Sequence, residues 1–231
     1  MRKATSLVTV AFVFGIVALT APMTFGQSSG SFNFSSNPLQ CVVNQSSGAL
    51  TGGIAGTVTT LKTTMKTSSG NGNVFVVTPS AVVGLLTDVT ISSKQSGTTV
   101  SSSSQAGVDF KVTATPLSGQ TAPVVVPSGR VTYEDRFIQI SSNLFSAIAT
   151  QCLANPDSSG GCFITFNEST LGAHSFNWVI TNLQSGYYGL TVEWAPSTLV
   201  QGIGSAATCV GPVNLTVTQN KIFTPSTGIS F

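Results

Sequence analysis

Hydrophobic and polar residues alternate along much of this chain, so that neighbouring side chains differ in polarity. The clearest run spans residues 108–114, in which Val, Phe, Val and Ala alternate with Asp, Lys and Thr. The same period recurs in residues 176–180, 187–194 and 213–217. A period of two places one set of side chains on each face of an extended strand, which is typical of half-buried β-strands. The chain is therefore predicted to be all-β.

Apolar runs bounded by turn residues predict further strands. Residues 131–140 form one run, and residues 74–77 and 82–91 form two more on either side of a predicted turn at residues 78–80. About seven to ten short strands with frequent turns suit two antiparallel sheets packed face to face. The predicted architecture is therefore a two-sheet antiparallel sandwich.

Three segments lack this alternation. Residues 142–153 could place four apolar side chains on one face behind a polar cap, which predicts one short helix before a disulfide loop. The Ser- and Thr-rich stretches 51–73 and 92–105 are expected to be long loops or weakly specified edge strands. Residues 101–104, four consecutive serines, are expected to be mobile.

The segment 183–188, Leu-Gln-Ser-Gly-Tyr-Tyr, joins two of the alternating runs. Its Leu183, Gly186 and Tyr188 form a pattern that resembles the corner of many immunoglobulin-like sandwiches, and the resemblance covers residues 174–212. The resemblance implies that the hydroxyl of Tyr188 bonds back to the backbone of the turn. It implies an immunoglobulin-like sandwich of the generic bacterial secreted type, and it carries no function.

The N-terminus has the pattern of a secretory signal peptide. Arg2 and Lys3 precede an apolar stretch over residues 7–21, and small residues stand before a predicted cut ahead of Gln27. Residues 1–26 are thus predicted to be removed, which leaves no membrane span after processing. The remaining chain is divided into an N-terminal arm (27–40), a sandwich domain (41–220) and a C-terminal tail or edge strand (221–231).

The four cysteines are expected to form disulfides, because the chain is predicted to be exported. They are Cys41, Cys152, Cys162 and Cys209. Three sets of pairings are possible. The pairing of Cys152 with Cys162 is favoured because the residues between them are rich in turn formers, and it leaves Cys41 with Cys209. No metal site is predicted, since no two cysteines have C-x-x-C spacing.

Charge narrows the possible partners. Only 7% of the 231 residues are charged, whereas an ordinary soluble domain carries about 25%. The nine basic residues outnumber the seven acidic ones, but removal of Arg2 and Lys3 leaves seven of each. Nucleic acid is therefore not an expected partner. Outward positions such as Asp109, Lys111 and Glu193 indicate a charged surface rather than a site.

The sequence predicts no catalytic residue and no cofactor. His174 is the single histidine, and it is interpreted as an exposed polar residue at a strand entry. Glu134 and Asp135 are adjacent, so they point to opposite faces of a strand and cannot act as a glycosidase pair. Glu134 is predicted to form an ion pair with Arg136. The weak cluster at residues 155–157 is interpreted as turn chemistry.

Aromatic residues suggest one binding hypothesis. Alternation directs Trp178, Tyr188 and Trp194 inward and leaves Tyr187 on the outside. Tyr187 is therefore the candidate contact for a carbohydrate or another small ligand.

The predicted N-terminal arm suggests self-assembly. Phe32 and Phe34 alternate with polar residues, so this segment could add as a strand to the sheet of a neighbour, with the two Phe side chains setting the register. In the alternative, the same strand pairs within its own domain.

The sequence thus predicts a non-catalytic structural or adhesive protein that is secreted or held at the cell surface. Its partners would be further copies of itself, other cell-surface proteins or glycans. The alternative function is a carbohydrate- or small-ligand-binding module of the cell exterior.

Overall fold

Nearly all of the described chain is extended strand. The structure, a computed structural model, describes residues 32–47, 53–67, 72–92, 101–141, 143–144, 146 and 162–221. These ranges contain twelve strands: β1 (Phe32–Asn37), β2 (Gln40–Ser47), β3 (Ile54–Ala55), β4 (Thr59–Thr67), β5 (Asn73–Ser92), β6 (Ser101–Pro116), β7 (Val124–Val126), β8 (Val131–Ser141), β9 (Phe163–Ser175), β10 (Trp178–Thr181), β11 (Gly186–Gln201) and β12 (Ile203–Lys221). The all-β prediction is confirmed.

The strands form two antiparallel sheets packed against each other, as predicted. Sheet A has seven strands in the order β1-β12-β5-β10-β7, with β2 also beside β12 and β9 also beside β5. Sheet B has five strands in the order β3-β11-β6-β8, with β4 also beside β11. The long strands β5, β6, β11 and β12 are therefore flanked on both sides, and shorter strands form the edges.

The two sheets share a hydrophobic core built from alternate positions of the long strands. Phe110 packs between two rings, with centroid distances of 4.0 Å to Tyr133 and 5.6 Å to Trp194. The predicted inward positions of Trp178, Tyr188 and Trp194 are confirmed, because all three side chains are fully buried.

β5 runs straight through the turn that was predicted at residues 78–80. On one side of β5, β9 ends at the residue that pairs with Ser80, and β10 begins at the residue that pairs with Val77. Pro79 therefore lies opposite the gap between these two strands, where the ladder needs no backbone N–H. The turn prediction is wrong because this interruption lets a proline stand inside a central strand.

The serines of residues 101–104 belong to a strand with neighbours on both sides, which corrects the expectation of a loop or an edge strand. They begin β6, and Ser102 and Ser104 are fully buried. The hydroxyl of Ser104 donates to the carbonyl of Ser205, on β12 of the other sheet, at 2.7 Å. Hydroxyl-to-backbone bonds thus connect the sheets here, which a search for apolar alternation does not detect.

A disulfide and a buried, hydrogen-bonded tyrosine stabilise the sandwich. Cys41 of β2 and Cys209 of β12 are paired in register and joined by a disulfide. The hydroxyl of Tyr188 accepts from the backbone N–H of Gln184 at 2.8 Å and donates to the carbonyl of the same residue at 3.3 Å. This is the bond that the immunoglobulin-like corner requires.

Several predicted features lie outside the described ranges: the signal peptide (1–26), the cluster at 155–157, residues 222–231 and Cys152. Cys162 is disulfide-bonded, and its pairing with Cys152 stays a prediction. Of the helix predicted over residues 142–153, only Asn143, Leu144 and Ser146 are described, and these three residues are helical.

Candidate functional site

The edge strands of the two sheets differ in charge. In sheet B, β4 carries Lys62 and Lys66, and β8 carries Glu134, Asp135 and Arg136. In sheet A, β1 and β2 carry no Lys, Arg, Asp or Glu, and β9 carries a single acidic residue. Charged side chains on edge strands are a common protection against pairing with other molecules. The long edges of sheet A therefore lack a protection that sheet B has.

At one edge of sheet A, residues 32–40 belong to the sandwich and not to a flexible arm. β1 pairs with β12 of its own chain, as the alternative prediction had it, from Phe32 opposite Thr218 to Asn37 opposite Val213. The side chains of Phe32 and Phe34 face outward and are 67% and 52% exposed.

An inward-facing side chain, that of Asn33, connects β1 to the other sheet. The side-chain amide of Asn33 donates to the carbonyl of Thr64, on β4 of the other sheet, at 2.9 Å. Phe32 and Phe34 make no inward contact that could select one register over another. Both rings remain available on the outer face of the sheet.

At the other edge of sheet A lies β9, a strand that the sequence analysis missed. It pairs with β5 along thirteen residues, and none of the other described residues forms a strand on its far side. Leu171 is 79% exposed on this strand, and Phe163 and Phe166 are also exposed. The run Phe-Ile-Thr-Phe at residues 163–166 has the β-branched and aromatic composition that could have revealed it.

A β-bulge in β8 brings ionisable groups between the sheets. Val108 pairs with Glu134 and Asp109 with Thr132, so Tyr133 has no residue opposite it. Tyr133 and Glu134 therefore both point inward, although they are neighbours in sequence.

Glu134 and Arg136 do not pair with each other, which corrects the sequence prediction. Glu134 Oε2 lies 2.8 Å from His174 Nε2, and Arg136 Nη1 lies 2.9 Å from Glu168 Oε2. Both partners are on β9, so the Arg136–Glu168 ion pair and the Glu134–His174 contact tie the edge of sheet B to the edge of sheet A. His174 is thus a half-buried, paired residue rather than a fully exposed one.

Packing fixes these groups in place. Gly172 makes room for the imidazole, because a Cβ at that position would lie 2.9 Å from His174 Nε2. The hydroxyl of Tyr133 donates to the carbonyl of Pro79 at 2.7 Å. Burial raises the pKa of Tyr133 well above its usual range, an effect that a backbone hydrogen bond with Phe176 opposes only in part. Tyr133 is therefore a neutral structural phenol at physiological pH.

Tyr187, the predicted ligand contact, lies on the outer face of sheet B and is 49% exposed. The ammonium of Lys66 lies 5.4 Å from the centroid of its ring. Two residues further along β11, Gly189 forms the floor of a shallow depression. Strand pairing thus brings Lys66 of β4 next to Tyr187 of β11, a proximity that the sequence alone does not show.

No protein-family model matches the chain, and no curated protein is significantly similar to it in sequence. Among the described residues, no three His, Cys, Asp or Glu side chains come close enough together to hold a metal ion. Within the same ranges, no helix has the length and hydropathy needed to cross a membrane.

Proposed function

We propose that this chain is a secreted structural or adhesive protein of the cell surface, without catalytic activity, that assembles by strand addition at the edges of sheet A. The observation that carries this proposal is the contrast between the charged edges of sheet B and the nearly uncharged edges of sheet A. Long uncharged edges present rows of backbone donors and acceptors to another chain. Self-association is the simplest use of such edges.

Secretion is supported by two independent features. Residues 1–26 have the composition of a signal peptide. The disulfide between Cys41 and Cys209 is compatible with an oxidising compartment outside the cytosol.

The proposed contact is heterologous. The edge formed by β1 and β2 in one copy lies beside β9 of the next copy, so that sheet A continues from molecule to molecule. Because the two edges are different surfaces, the contact does not close on itself as a twofold dimer and produces an open filament. Phe32, Phe34 and Leu171 would then lie on one continuous outer face.

The non-catalytic part of the proposal rests on the surroundings of the only histidine. His174 and Glu134 face each other across the two sheets and hold β8 to β9. Their mutual contact accounts for the position of both groups without a substrate.

A charge placed on either edge of sheet A tests this proposal. In the mature chain from Gln27, Phe34→Lys on β1 and Leu171→Lys on β9 are each expected to abolish filaments in negative-stain images and to shift size-exclusion elution to the monomer. Phe137→Lys is the matched control. Phe137 lies on β8 of sheet B, and its exposed fraction of 56% is similar to that of Phe34. This variant should assemble normally.

Two results would overturn the proposal. A wild-type chain that remains monomeric at millimolar concentration has no such assembly. Filaments that persist in both edge variants would show that another surface makes the contact.

A further inference from the structure

The basic residues of the described chain gather on the outer face of sheet B. Of the six Lys and Arg in the described ranges, only Arg136 and Lys221 lie elsewhere. The four on this face are Lys62, Lys66, Lys111 and Arg130. They come from three separate parts of the sequence. The neutral mature chain therefore has a locally basic region that its net charge conceals.

One acidic group lies close to two of these four residues. Glu193 lies 4.0 Å from the ammonium of Lys111 and 3.3 Å from the guanidinium of Arg130. Asp109, beyond Lys111, accepts a hydrogen bond from the hydroxyl of Thr132 at 2.7 Å. Lys62 forms no ion pair with any described residue. Its ammonium is therefore available to an anionic ligand.

A depression of about 310 Å³ lies beside Lys62. Its floor is Gly189, which pairs with Thr64 on one side and Thr115 on the other. A Cβ on Gly189 would lie 3.3 Å from Thr115 Oγ1 and 3.4 Å from the side chain of Leu117, so glycine keeps the floor open. The volume is at the lower end of the range for small-ligand sites, about 300–1,000 Å³.

The walls of this depression combine hydroxyl groups with a cation. Thr64, Thr115 and Thr191 contribute side chains to its lining, together with Lys62 and Leu117. Threonine hydroxyls both donate and accept hydrogen bonds, which matches the hydroxyls of a sugar. Tyr187 lies two residues from Gly189 on the same face of β11 and supplies an exposed ring beside the opening.

We infer that this depression binds an acidic carbohydrate, such as a chain of uronic acid residues. One sugar ring packs against Tyr187, its hydroxyls bond to the threonines, and the carboxylate of the ligand lies at Lys62. Aromatic rings offer flat apolar contact with a polar edge at a low cost in conformational entropy. The site is independent of the proposed assembly, because it lies on sheet B and the assembly uses edges of sheet A.

Isothermal titration calorimetry with polygalacturonate, using the Leu171→Lys form of the mature chain, which is expected to be monomeric, tests this inference. Tyr187→Ala and Lys62→Gln, each added to that form, are expected to weaken binding about tenfold. Phe137→Ala and Lys221→Gln are the matched controls, and both should bind as the parent does. Gly189→Val should abolish binding by filling the floor, with circular dichroism reporting whether the sheet is retained.

Two control ligands test specificity. Neutral dextran tests for non-specific binding of polysaccharides, and a single-stranded thymidine oligonucleotide tests for non-specific binding of polyanions. Neither should bind measurably at 150 mM salt. The inference is overturned if Tyr187→Ala binds polygalacturonate as tightly as its parent, if dextran binds equally well, or if the oligonucleotide binds with the same dependence on Tyr187 and Lys62. The depression lies on the face of sheet B and the proposed assembly uses the edges of sheet A, so failure of the assembly proposal leaves this result unaffected.

Discussion

At the scale of single residues, Tyr133 connects the bulge in β8 to the core. Its ring stacks on Phe110 and its hydroxyl donates to the carbonyl of Pro79, the residue that faces the gap between β9 and β10. The carbonyl of Pro79 thus accepts a hydrogen bond, although neither β9 nor β10 has a residue opposite it. The phenol therefore compensates for the interruption of the sheet, which explains why a polar group is buried there.

Burial of this phenol makes the stability of the protein sensitive to alkaline pH. The pKa of Tyr133 is raised in the folded state, whereas the unfolded chain loses this proton near pH 10. Above that pH the unfolded chain binds fewer protons than the folded chain, so the free energy of unfolding falls as pH rises, by up to about 1.4 kcal/mol per unit.

Urea unfolding of the wild type and Tyr133→Phe between pH 8 and pH 12 measures this effect. The variant is expected to be less stable at pH 8, because the carbonyl of Pro79 loses its donor, and to lose stability less steeply above pH 10. Parallel curves for the two proteins would contradict the assignment of this effect to Tyr133.

The corner tyrosine gives a second prediction at this scale. Tyr188→Phe removes the acceptor of the Gln184 N–H, which is expected to cost about 1–3 kcal/mol of unfolding free energy. Tyr187→Phe is the matched control, since it removes an exposed hydroxyl one residue away and should cost less than about 0.5 kcal/mol. Equal losses in thermal or urea unfolding would show that the corner bond contributes nothing specific.

At the scale of strands, the sequence predicts the strands that have one face in the core and the other in solvent. β6 and β11 alternate in polarity because one face packs in the core and the other meets solvent, and both were found from this signal. The sequence did not predict β9. This strand lies at an edge of sheet A, and its inward positions include Glu168 and His174, so apolar and polar residues do not alternate along it. The unbroken course of β5 through Pro79 depends on a gap between two distant strands, which no local pattern encodes.

The candidate binding site shows the same limit. Alternation alone placed Tyr187 outside, and the structure agrees. The pairing of Lys62 with Thr191 and of Thr64 with Gly189 joins residues that are more than a hundred positions apart. Because the sequence does not give the strand register, the charged residues seemed to be distributed over the whole surface. The prediction that they mark a surface and not a site was based on that distribution.

β1 provides a prediction for a single element. Deleting residues 27–37 removes the strand that covers one half of β12, so the truncated chain is expected to be less stable than a chain that begins at Gln27. A synthetic peptide of residues 30–38 added to the truncated chain should restore stability, because the free edge of β12 accepts a strand in trans.

The control for this complementation separates the roles of the side chains. A peptide with Phe32→Ala and Phe34→Ala should still bind, since both rings face outward. A peptide with Asn33→Ala should bind more weakly, because it cannot donate to the carbonyl of Thr64. Fluorescence anisotropy of labelled peptides gives the three affinities, and the opposite order would assign the register to the aromatic residues.

At the scale of the whole molecule, charge is divided between the sheets. The outer strands β1 and β2 of sheet A are uncharged and β9 carries one acidic residue, whereas the outer face of sheet B carries most of the described basic residues. A filament built through sheet A would repeat the outer face of sheet B once in every copy. Weak binding of each depression to a polysaccharide would then be multiplied along the filament.

The disulfide distinguishes the two strands that lie side by side along the outer side of β12. Cys41 and Cys209 are separated by 168 residues, and β1 lies outside the covalent loop that they close. β2 is therefore tied to β12, whereas β1 is held there by hydrogen bonds and packing alone. Replacing both cysteines by alanine should lower the free energy of unfolding by about 2–5 kcal/mol, because the unfolded chain gains the entropy of a long open loop.

Hydrogen exchange distinguishes this effect from a general loss of stability. In the double variant, the amides of β2 are expected to exchange faster than those of β5 at the centre of the sheet, since an edge strand without its crosslink opens locally. In the wild type, β1 should exchange faster than β2 although both pair with β12. Equal protection of the two strands in the wild type would show that the crosslink does not hold β2 more firmly than hydrogen bonds and packing hold β1.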